Sequence, residues 1–378
     1  MAISGNKGEW SEIYTLFKLL GDGKVYAGDA DMNKLNLYYP ILNVIREESK
    51  KYEYKPDVKQ NIVVIDEDGN EYARVSMNDF LQEATTLLTK IKNGNKNDKD
   101  KNKDKNEKDK NATKGAFEIP ETEAFMNKIG CTKLKAPSTN KTDIHIVIHD
   151  LRTNMTPKLG FSIKSQLGSA STLLNADRAT NITYKITGTK LNDSDIEELN
   201  NIEEHTQRMN AIFDKGCSLE YSDIEHTVFK NNLLFMDCCM PQFIANCLLV
   251  YNLPDSISYI KDCVAKVAIQ NPLKFEGSNV EVFYEHKMKV LLLDSALGMT
   301  PAKVWTGRYD ANGGYLVVRK DGEIVCYHFY NRNDVEDYLY NNTRFERASR
   351  NRYKYGTIYK DADGNNYIKL NLQIRFKK

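Results

Sequence analysis

Alternating apolar and polar positions in the middle of the chain predict two neighbouring β-strands. From Asp143 to His149 every second residue is an isoleucine, and from Gly160 to Gln166 two bulky apolar residues alternate with polar ones. A period of two residues is typical of a strand with one buried face. Asn154 and Pro157 supply turn residues between the two segments, so we expect a hairpin.

The polar faces of these two strands coincide in such a hairpin. If it closes near Met155, residue 143 comes level with about residue 165, and Asp143 lies beside Ser162, Lys164 and Gln166. A carboxylate and a lysine at the end of a hairpin can hold a divalent metal and position a water for attack on a phosphodiester. The alternative is an ordinary cross-strand ion pair on a solvated sheet face.

An amphipathic helix is predicted near the N-terminus, from Lys7 to Leu20, because its apolar residues recur at steps of three and four. Glu9 and Glu12 lie on a neighbouring stripe. Acidic residues in a first turn favour the helix dipole. Alternatively, one of them supplies the second carboxylate that a metal site needs, since position 162 is serine. Gly8, four residues before Glu12, makes Glu12 the preferred candidate.

The same periodicities assign the rest of the chain. Hairpins are expected around residues 66–70 and 320–322, and strand patterns also cover 353–360 and 366–376. Helical patterns cover 77–91, 193–214, 222–250 with an interruption at Pro241, 256–269, 279–293 and 333–340. We therefore predict an α/β protein with a mixed central β-sheet flanked by helices and a C-terminal β-rich basic region.

The segment from Leu167 to Ile186 is predicted to be a loop behind the second strand of the central hairpin. Small hydroxylated residues and amides dominate it, among them Ser169, Ser171, Thr172, Asn175, Thr180 and Asn181. Loops on a rigid scaffold often carry recognition groups, and amides can contact base edges. A helix cap followed by a turn would use the same residue types.

The composition limits the classes of protein to which the chain can belong. The chain has 378 residues and a net charge of +1, so its total charge does not indicate a nucleic-acid partner. No apolar run reaches eighteen residues and no signal peptide is recognisable, so we expect a cytoplasmic protein without a membrane span. The seven cysteines form no CxxC pair, and we expect reduced, mostly buried thiols.

Two segments differ from the rest of the chain in composition or in net charge. Residues 93–115 consist almost entirely of Asn, Lys, Asp and Glu, so we expect a disordered insertion. From Thr343 to Lys378 ten Lys or Arg residues stand against three acidic residues, an excess of seven positive charges. Tyrosines are interleaved with these cations, a pattern typical of polyanion binding. A solvated basic face is the alternative.

Four blocks of sequence resemble the HpaII-type restriction endonucleases and occur in family order. They are GNKGEWSEIY, LGFSIKSQLGSASTLLNA with TN soon after, WTGRYDANGGYLVVRKDGEIVCYHFYNR, and the terminal LNLQIRF. The resemblance implies a type II enzyme of the PD-(D/E)xK nuclease superfamily that cuts duplex DNA at 5′-CCGG with Mg2+. It also implies a cognate DNA methyltransferase as a functional partner. A palindromic target suggests a homodimer on DNA.

The resemblance assigns roles to the central residues. Asp143 falls at the metal-binding aspartate of the superfamily, and Lys164 at the motif lysine that orients or activates the attacking water. Ser162 stands where most relatives have Glu or Asp, so Glu12, and then Glu9, are the candidates to replace that carboxylate. Thr142 precedes Asp143 in place of the usual proline, a second departure from the motif.

Base readout is assigned to polar residues around the same strand and to two arginines. We expect contacts near the target from Gln166, Ser169, Ser171, Asn175 and Asn181, and contacts to guanine or phosphate from Arg308 and Arg375. We expect four segments along the chain. Residues 1–92 form a helix and hairpin region that contributes to the nuclease core, and 93–115 form the disordered insertion. Residues 116–300 form the catalytic core with its helical cover, and 301–378 a β-rich basic DNA-binding region.

Two other functions share this layout of residues. A structure-specific nuclease such as a junction resolvase would cut according to branch structure rather than sequence. A DNA-binding protein with a degenerate nuclease fold is suggested by the serine at position 162, and it would show no metal-dependent nicking.

Overall fold

The computed structural model describes residues 2–94, 115–135, 142–254, 257–309 and 312–377. They fall into two compact units: unit 1 comprises the described residues of 1–171 and 310–335, and unit 2 those of 172–309 and 336–377. The predicted disordered insertion at 93–115 lies almost wholly outside the described residues. The expected division into segments at 1–92, 93–115, 116–300 and 301–378 stays a prediction.

The described chain contains runs of consecutive strands and runs of consecutive helices. The strands are β1 Ser4–Gly5, β2 Lys24–Gly28, β3 Lys34–Glu47, β4 Lys51–Asp57, β5 Ile62–Glu67, β6 Asn70–Ser76, β7 Phe117–Glu118, β8 Ile144–Ile148, β9 Lys158–Ser165, β10 Thr172–Leu174, β11 Asn181–Gly188, β12 Cys217–Ile224, β13 Gly314–Val318, β14 Ile324–His328, β15 Thr343–Phe345, β16 Tyr359–Lys360, β17 Asn366–Asn371 and β18 Ile374–Phe376. The helices are α1 Lys7–Asp22, α2 Met77–Asn93, α3 Pro120–Lys128, α4 Asp193–Asn201, α5 His205–Asp214, α6 Thr227–Met236, α7 Met240–Asn252, α8 Ile260–Gln270, α9 Val280–Leu297, α10 Arg332–Asn342 and α11 Arg350–Tyr353.

Unit 1 is built on a mixed sheet of nine strands in the order β2-β14-β13-β9-β8-β3-β4-β5-β6. The long strand β3 also pairs with β2, so six of these strands close into a barrel. β13 runs parallel to β9 and β14 runs parallel to β2, whereas the other pairings are antiparallel. The predicted mixed α/β class is confirmed, but barrel closure has no counterpart in the prediction.

Helix α1 lies in the core of unit 1. Asn6 caps it, accepting from the N–H groups of Gly8 and Glu9, while Glu9 accepts from the Asn6 N–H, a reciprocal capping box. The ring of Phe17 packs edge-on against Phe80 of α2 and Phe125 of α3. The predicted helix is therefore confirmed, but it is buried on nearly all sides rather than along one stripe, because helices and sheet both cover it.

The central hairpin is confirmed, but its predicted register is wrong. β8 and β9 pair antiparallel, and an isolated bridge between Asp150 and Met155 continues the same register. The turn therefore lies between these two residues instead of near Met155. As a result Asp143 is level with Ser162, and not with residue 165.

Unit 2 contains two small antiparallel sheets, ordered β12-β11-β17-β16 and β10-β18-β15, together with helices α4 to α9. The fully buried Arg208 organises one edge of this unit. Its guanidinium donates to the carbonyl oxygens of Leu199, Asn200, Ile202 and Gly356, so a single side chain joins the end of α4 to the segment before β16.

Several predicted elements of unit 2 are wrong. Residues 167–186, expected as a loop, contain β10 and most of β11, and the helix expected from 222 begins only with α6. The break between α6 and α7 precedes Pro241, because proline is tolerated in the first turn of a helix. The expected strand at 353–360 is reduced to β16. These elements depend on distant pairing partners that local periodicity does not reveal.

In the described part of the chain, no single helix is long and apolar enough to cross a membrane. Only α6 and α7 taken as a pair, with a bend of 106° between them, reach that length and composition. All seven cysteines are free thiols, and five of them are buried, as expected.

Candidate active site

Asp143 lies immediately before β8 and is held by β9. Its N–H donates to the carbonyl oxygen of Phe161 at 2.9 Å, and its Oδ2 accepts from the N–H of Ile163 at 2.6 Å. Burial raises the pKa of Asp143 above its usual value, while the hydrogen bond from Ile163 and the charge of Lys164 act in the opposite direction. The carboxylate is thus fixed in orientation and lies close to a cation.

Lys164 lies on β9, two residues beyond the position level with Asp143. Its Nζ is 5.3 Å from the centre of the Tyr315 ring, within cation–π range. Burial lowers the pKa of Lys164, and the negative charges of Asp143 and Glu12 oppose that shift. Lys164 therefore releases a proton more easily than an exposed lysine while remaining near two carboxylates.

Glu12 of α1 shares the same environment. Its pKa is raised to about 8, first by burial and then by the negative charge of Asp143. The preceding residue fixes this part of the helix, because the hydroxyls of Ser11 and Ser165 are hydrogen-bonded at 2.8 Å. One hydrogen bond thus ties the helix that carries Glu12 to the strand that carries Lys164.

Glu9 has a different role in the structure. Besides closing the capping box, it forms an ion pair with Lys135 at 2.7 Å. Burial acts to raise the pKa of Glu9, but the hydrogen bonds from Lys135 and the Asn6 N–H outweigh it, so this pKa is lowered. Both carboxylate oxygens are thus engaged, and Glu12 is the better candidate for the second carboxylate.

Ser162 lies on β9 two residues before Lys164, level with Tyr315 of β13. Its side chain offers a hydroxyl and no carboxylate. The candidate site therefore takes one carboxylate from the hairpin and the other from α1.

This donor set fits a divalent cation. Glu12 and Asp143 are partly exposed carboxylates, and Asp143 makes ionisation of Glu12 unfavourable. Carboxylate oxygens are the ligands that hard divalent cations prefer, and a bound cation would offset the repulsion between these two groups.

Three expected DNA contacts lie at the end of β9 in unit 1. The amide of Gln166 is already held, since its Oε1 accepts from the N–H of Lys320 at 3.3 Å and its Nε2 lies 3.5 Å from the sulfur of Met32. Ser169 is exposed and Ser171 is partly exposed. These two serines remain accessible to a ligand.

The residues of unit 2 that are expected to contact DNA differ in their exposure and in their existing partners. Asn175 and Arg308 are exposed. Asn181 is buried in β11, where its amide donates to the carbonyl oxygen of Tyr353 and accepts from Asn371, so its expected contact with a base is not compatible with this structure. Arg375 lies 3.4 Å from a carboxylate oxygen of Glu346, which reduces its availability for guanine.

Sequence reasoning missed three groups near the candidate site. Tyr315 lies in a predicted hairpin, Ser11 lies in a predicted helix, and Lys135 lies in a segment without a recognised motif. The charge of Lys135 acts on Glu12 and Asp143. Only the pairing of β13 with β9 brings Tyr315 to Lys164, so no local signal could have identified it.

Comparison with known proteins identifies the family. The sequence model of the HpaII restriction endonuclease family matches residues 6–376. The chain is 45% identical over 376 residues to the type II restriction enzyme HpaII of Haemophilus parainfluenzae, a match covering 99% of this chain and 98% of that enzyme. No solved structure matches the chain significantly. The resemblance carried by the four sequence blocks is confirmed: this chain belongs to the HpaII restriction endonuclease family and is a type II site-specific deoxyribonuclease.

Proposed function

We propose that this enzyme hydrolyses both strands of duplex DNA at 5′-CCGG with Mg2+, using Asp143, Glu12 and Lys164. Type II restriction endonucleases generally use a divalent metal, and the name of the relative from Haemophilus parainfluenzae places it in this class. One observation carries the residue assignment: the charge of Asp143 raises the pKa of Glu12, and the charges of both carboxylates act on the pKa of Lys164, so three groups from different elements lie near one another. Such convergence is common at catalytic sites.

In this proposal Asp143 and Glu12 hold the cation through their oxygens. When bound, Mg2+ supplies positive charge that stabilises the developing negative charge on the scissile phosphate. The Ile163 N–H keeps the Asp143 carboxylate in one orientation, and Ser11 keeps α1 against β9. Lys164 orients the attacking water, and its lowered pKa favours proton transfer from that water.

The finer fold and partner assignments belong to the same proposal. Strands β8 and β9 with helix α1 would form the PD-(D/E)xK core, in which Ser162 occupies the position of the missing carboxylate. A homodimer would match the two-fold symmetry of the target. A cognate methyltransferase would protect host DNA without binding this protein.

DNA contacts are proposed for the accessible members of the predicted set. Ser169 and Ser171 follow the catalytic strand directly, and Asn175 and Arg308 are exposed in unit 2. Gln166 would act from a fixed orientation, because both ends of its amide already have neighbours. Arg375 would act only after leaving Glu346.

The test is digestion of unmethylated plasmid DNA with and without Mg2+, followed by run-off sequencing of the ends. We expect discrete fragments ending at CCGG only when Mg2+ is present. Discrete ends at another sequence would refute the target, and cleavage in EDTA would refute the metal requirement. Binding without any cleavage would favour a degenerate nuclease fold.

The residue assignment is tested by Asp143→Asn and Glu12→Gln, with Glu9→Gln as the matched control. We expect the first two variants to lose cleavage by about 100-fold or more and to keep DNA affinity, since affinity depends mainly on phosphate contacts elsewhere. Glu9→Gln should retain most activity. Full cleavage by Glu12→Gln would show that another group completes the site.

A further inference from the structure

An exposed apolar cluster lies in unit 2, where the end of α6 meets the segment before residue 310. Phe235 is 63% exposed, Val304 75% and Tyr309 52%, and Trp305 lies among them. We call these four residues the aromatic knuckle. Contiguous exposed apolar side chains on a protein that acts on another molecule often mark a contact surface.

The three rings of the knuckle form a packed group, and Val304 is next to Trp305 in the chain. The ring centres of Phe235 and Trp305 are 5.7 Å apart with an interplanar angle of 88°, and those of Trp305 and Tyr309 are 6.2 Å apart. Gly307 has a φ of +76°, and a Cβ at this position would lie 3.0 Å from the Phe235 ring. A side chain there would disturb the packing, so the glycine allows the segment to fold over the ring.

Buried hydrogen bonds hold the knuckle in place. The amide of Asn232, which is 2% exposed, donates to the carbonyl oxygens of Thr300 and Lys303 and accepts from the N–H of Trp305. The indole Nε1 of Trp305 donates to the Arg308 carbonyl, which closes the loop. The exposed rings therefore need little ordering when they bind, which favours affinity.

The charge beside the knuckle favours DNA over a second copy of the chain. The segment from Gly298 to Tyr309 contains Lys303 and Arg308 and no acidic residue. Both cations are exposed. Apolar side chains flanked by cations match the faces of base pairs flanked by phosphates, whereas an interface between copies would bring these like charges together.

We propose that the aromatic knuckle is a DNA wedge, in which Phe235 and Val304 insert at a base step while Lys303 and Arg308 bind the flanking phosphates. Apolar wedges of this kind unstack a step and kink the duplex. This inference rests on the established DNA substrate and not on the assignment of the catalytic residues, which lie in unit 1.

The test measures binding and base unstacking on the full chain. A target duplex carrying 2-aminopurine next to the recognition site is titrated in EDTA, and both fluorescence intensity and anisotropy are recorded. We expect the wild-type enzyme to raise the intensity. Phe235→Ala and Val304→Ser should each reduce that rise and weaken binding by about 5- to 100-fold, the fold-change that a lost base contact typically gives.

Matched controls separate the wedge from general effects. Ile269 is 85% exposed in the same unit but lies at the end of α8, so Ile269→Ala should leave both signals unchanged. Lys303→Ala and Arg308→Ala should each reduce the slope of log affinity against log salt by about one. Val304→Ser keeps the test valid if Phe235→Ala fails to fold, because Val304 is mostly solvent-exposed.

Two outcomes would overturn the proposal. The first is wild-type affinity and fluorescence in both wedge variants. The second is a change in sedimentation coefficient with unchanged DNA affinity, which would assign the knuckle to an interface between copies. Because neither readout requires cleavage, an error in the catalytic assignment would not produce either result. Plasmid cleavage by the same variants gives a second readout, in which an intact wedge role predicts a lower kcat/KM.

Discussion

The identities of single residues determine which carboxylates the candidate site contains. The strand position level with Asp143 holds Ser162, which has no carboxylate, while the charge of Asp143 acts on Glu12 from a helix that is far away in the sequence. Without a bound cation the charged form of Glu12 is unfavourable, because burial and the negative charge of Asp143 both raise its pKa. These properties suit a carboxylate that binds a metal ion more than one that stabilises the fold as a surface charge.

Moving the carboxylate back to the strand should restore part of a lost activity. Ser162 is level with Asp143 in the hairpin, so a glutamate there would reach the same cation. We expect the double variant Glu12→Gln, Ser162→Glu to cleave plasmid DNA about 10-fold faster than Glu12→Gln alone, since metal ligation recovers. Glu12→Gln combined with Ser162→Ala is the control. Equal rates in the two double variants would argue against equivalence of the two positions.

His328 should make unit 1 sensitive to acid. This residue is 1% exposed, its Nδ1 accepts from the Tyr330 N–H, and its Nε2 has no partner among the described residues. Its pKa is lowered to about 4, mainly by burial; Arg152 adds to the shift and Asp150 opposes it. The unfolded chain therefore binds the proton more tightly, so the stabilising contribution is complete above pH 6.5 and is lost as the pH falls toward 4.

We expect the free energy of unfolding to fall by about 2 kcal/mol between pH 7 and pH 5 from this residue alone. His328→Asn keeps an acceptor near the position of Nδ1 but cannot take up a proton. Urea unfolding at several pH values should therefore show a shallower acid dependence in the variant. Parallel pH profiles would mean that His328 is solvated or protonated in the native state.

At the scale of elements, local signals predicted many of the helices and hairpins of unit 1, but fewer elements of unit 2 and not how the elements combine. The hairpins β5–β6 and β13–β14 follow from turn residues between apolar runs, and α1 and α2 follow from helical periodicity. The register of β8 and β9 was missed, because turn residues at 154, 157 and 160 allow more than one hairpin. The link between Ser11 and Ser165 was beyond reach, since it joins residues far apart in the chain.

This link gives a prediction about helix α1. Ser11→Ala removes the bond to Ser165, so we expect kcat to fall about 5- to 10-fold with little change in KM, as Glu12 loses its fixed position. Thr15→Ala is the matched control. It removes a buried hydroxyl that bonds only the Ser11 carbonyl of the same helix.

Thr15→Ala should lose about 1 kcal/mol of stability, which is the usual net value of a hydrogen bond, and Ser11→Ala about 2 kcal/mol, because its hydroxyl also donates to the Lys7 carbonyl. Only Ser11→Ala should lose turnover, measured by steady-state cleavage of an oligonucleotide duplex. A similar decrease in kcat in both variants would show that helix stability, and not the bond between the elements, controls activity.

At the scale of the whole molecule, charge is distributed differently from what the C-terminal sequence indicates. The predicted basic stretch is partly neutralised by acidic residues of the same unit: Lys369 pairs with Glu225 at 2.6 Å, and Lys360 pairs with Asp193. Counting charges along the chain cannot detect this, because the partners come from distant segments. The polyanion-binding surface should therefore be smaller than the excess of seven charges suggests.

Salt dependence measures that surface. We expect Lys369→Ala to leave the slope of log affinity against log salt within about 0.5 of the wild-type value, because its charge is already paired. Arg352, which is exposed and stacked on Tyr353, is the comparison, and Arg352→Ala should lower the slope by about one. A large change for Lys369→Ala would mean that DNA displaces Glu225.

The closed barrel of unit 1 determines how the enzyme unfolds and loses activity on heating. β9 is paired along its whole length, with β8 over Lys158–Phe161 and with β13 over Phe161–Ser165, and β3 completes the ring through β2. A strand enclosed in this way cannot fray from an edge, so its amide hydrogens should exchange with solvent only when the whole ring opens. On heating, the enzyme should then pass from full activity to none without a folded but inactive form of unit 1 in between.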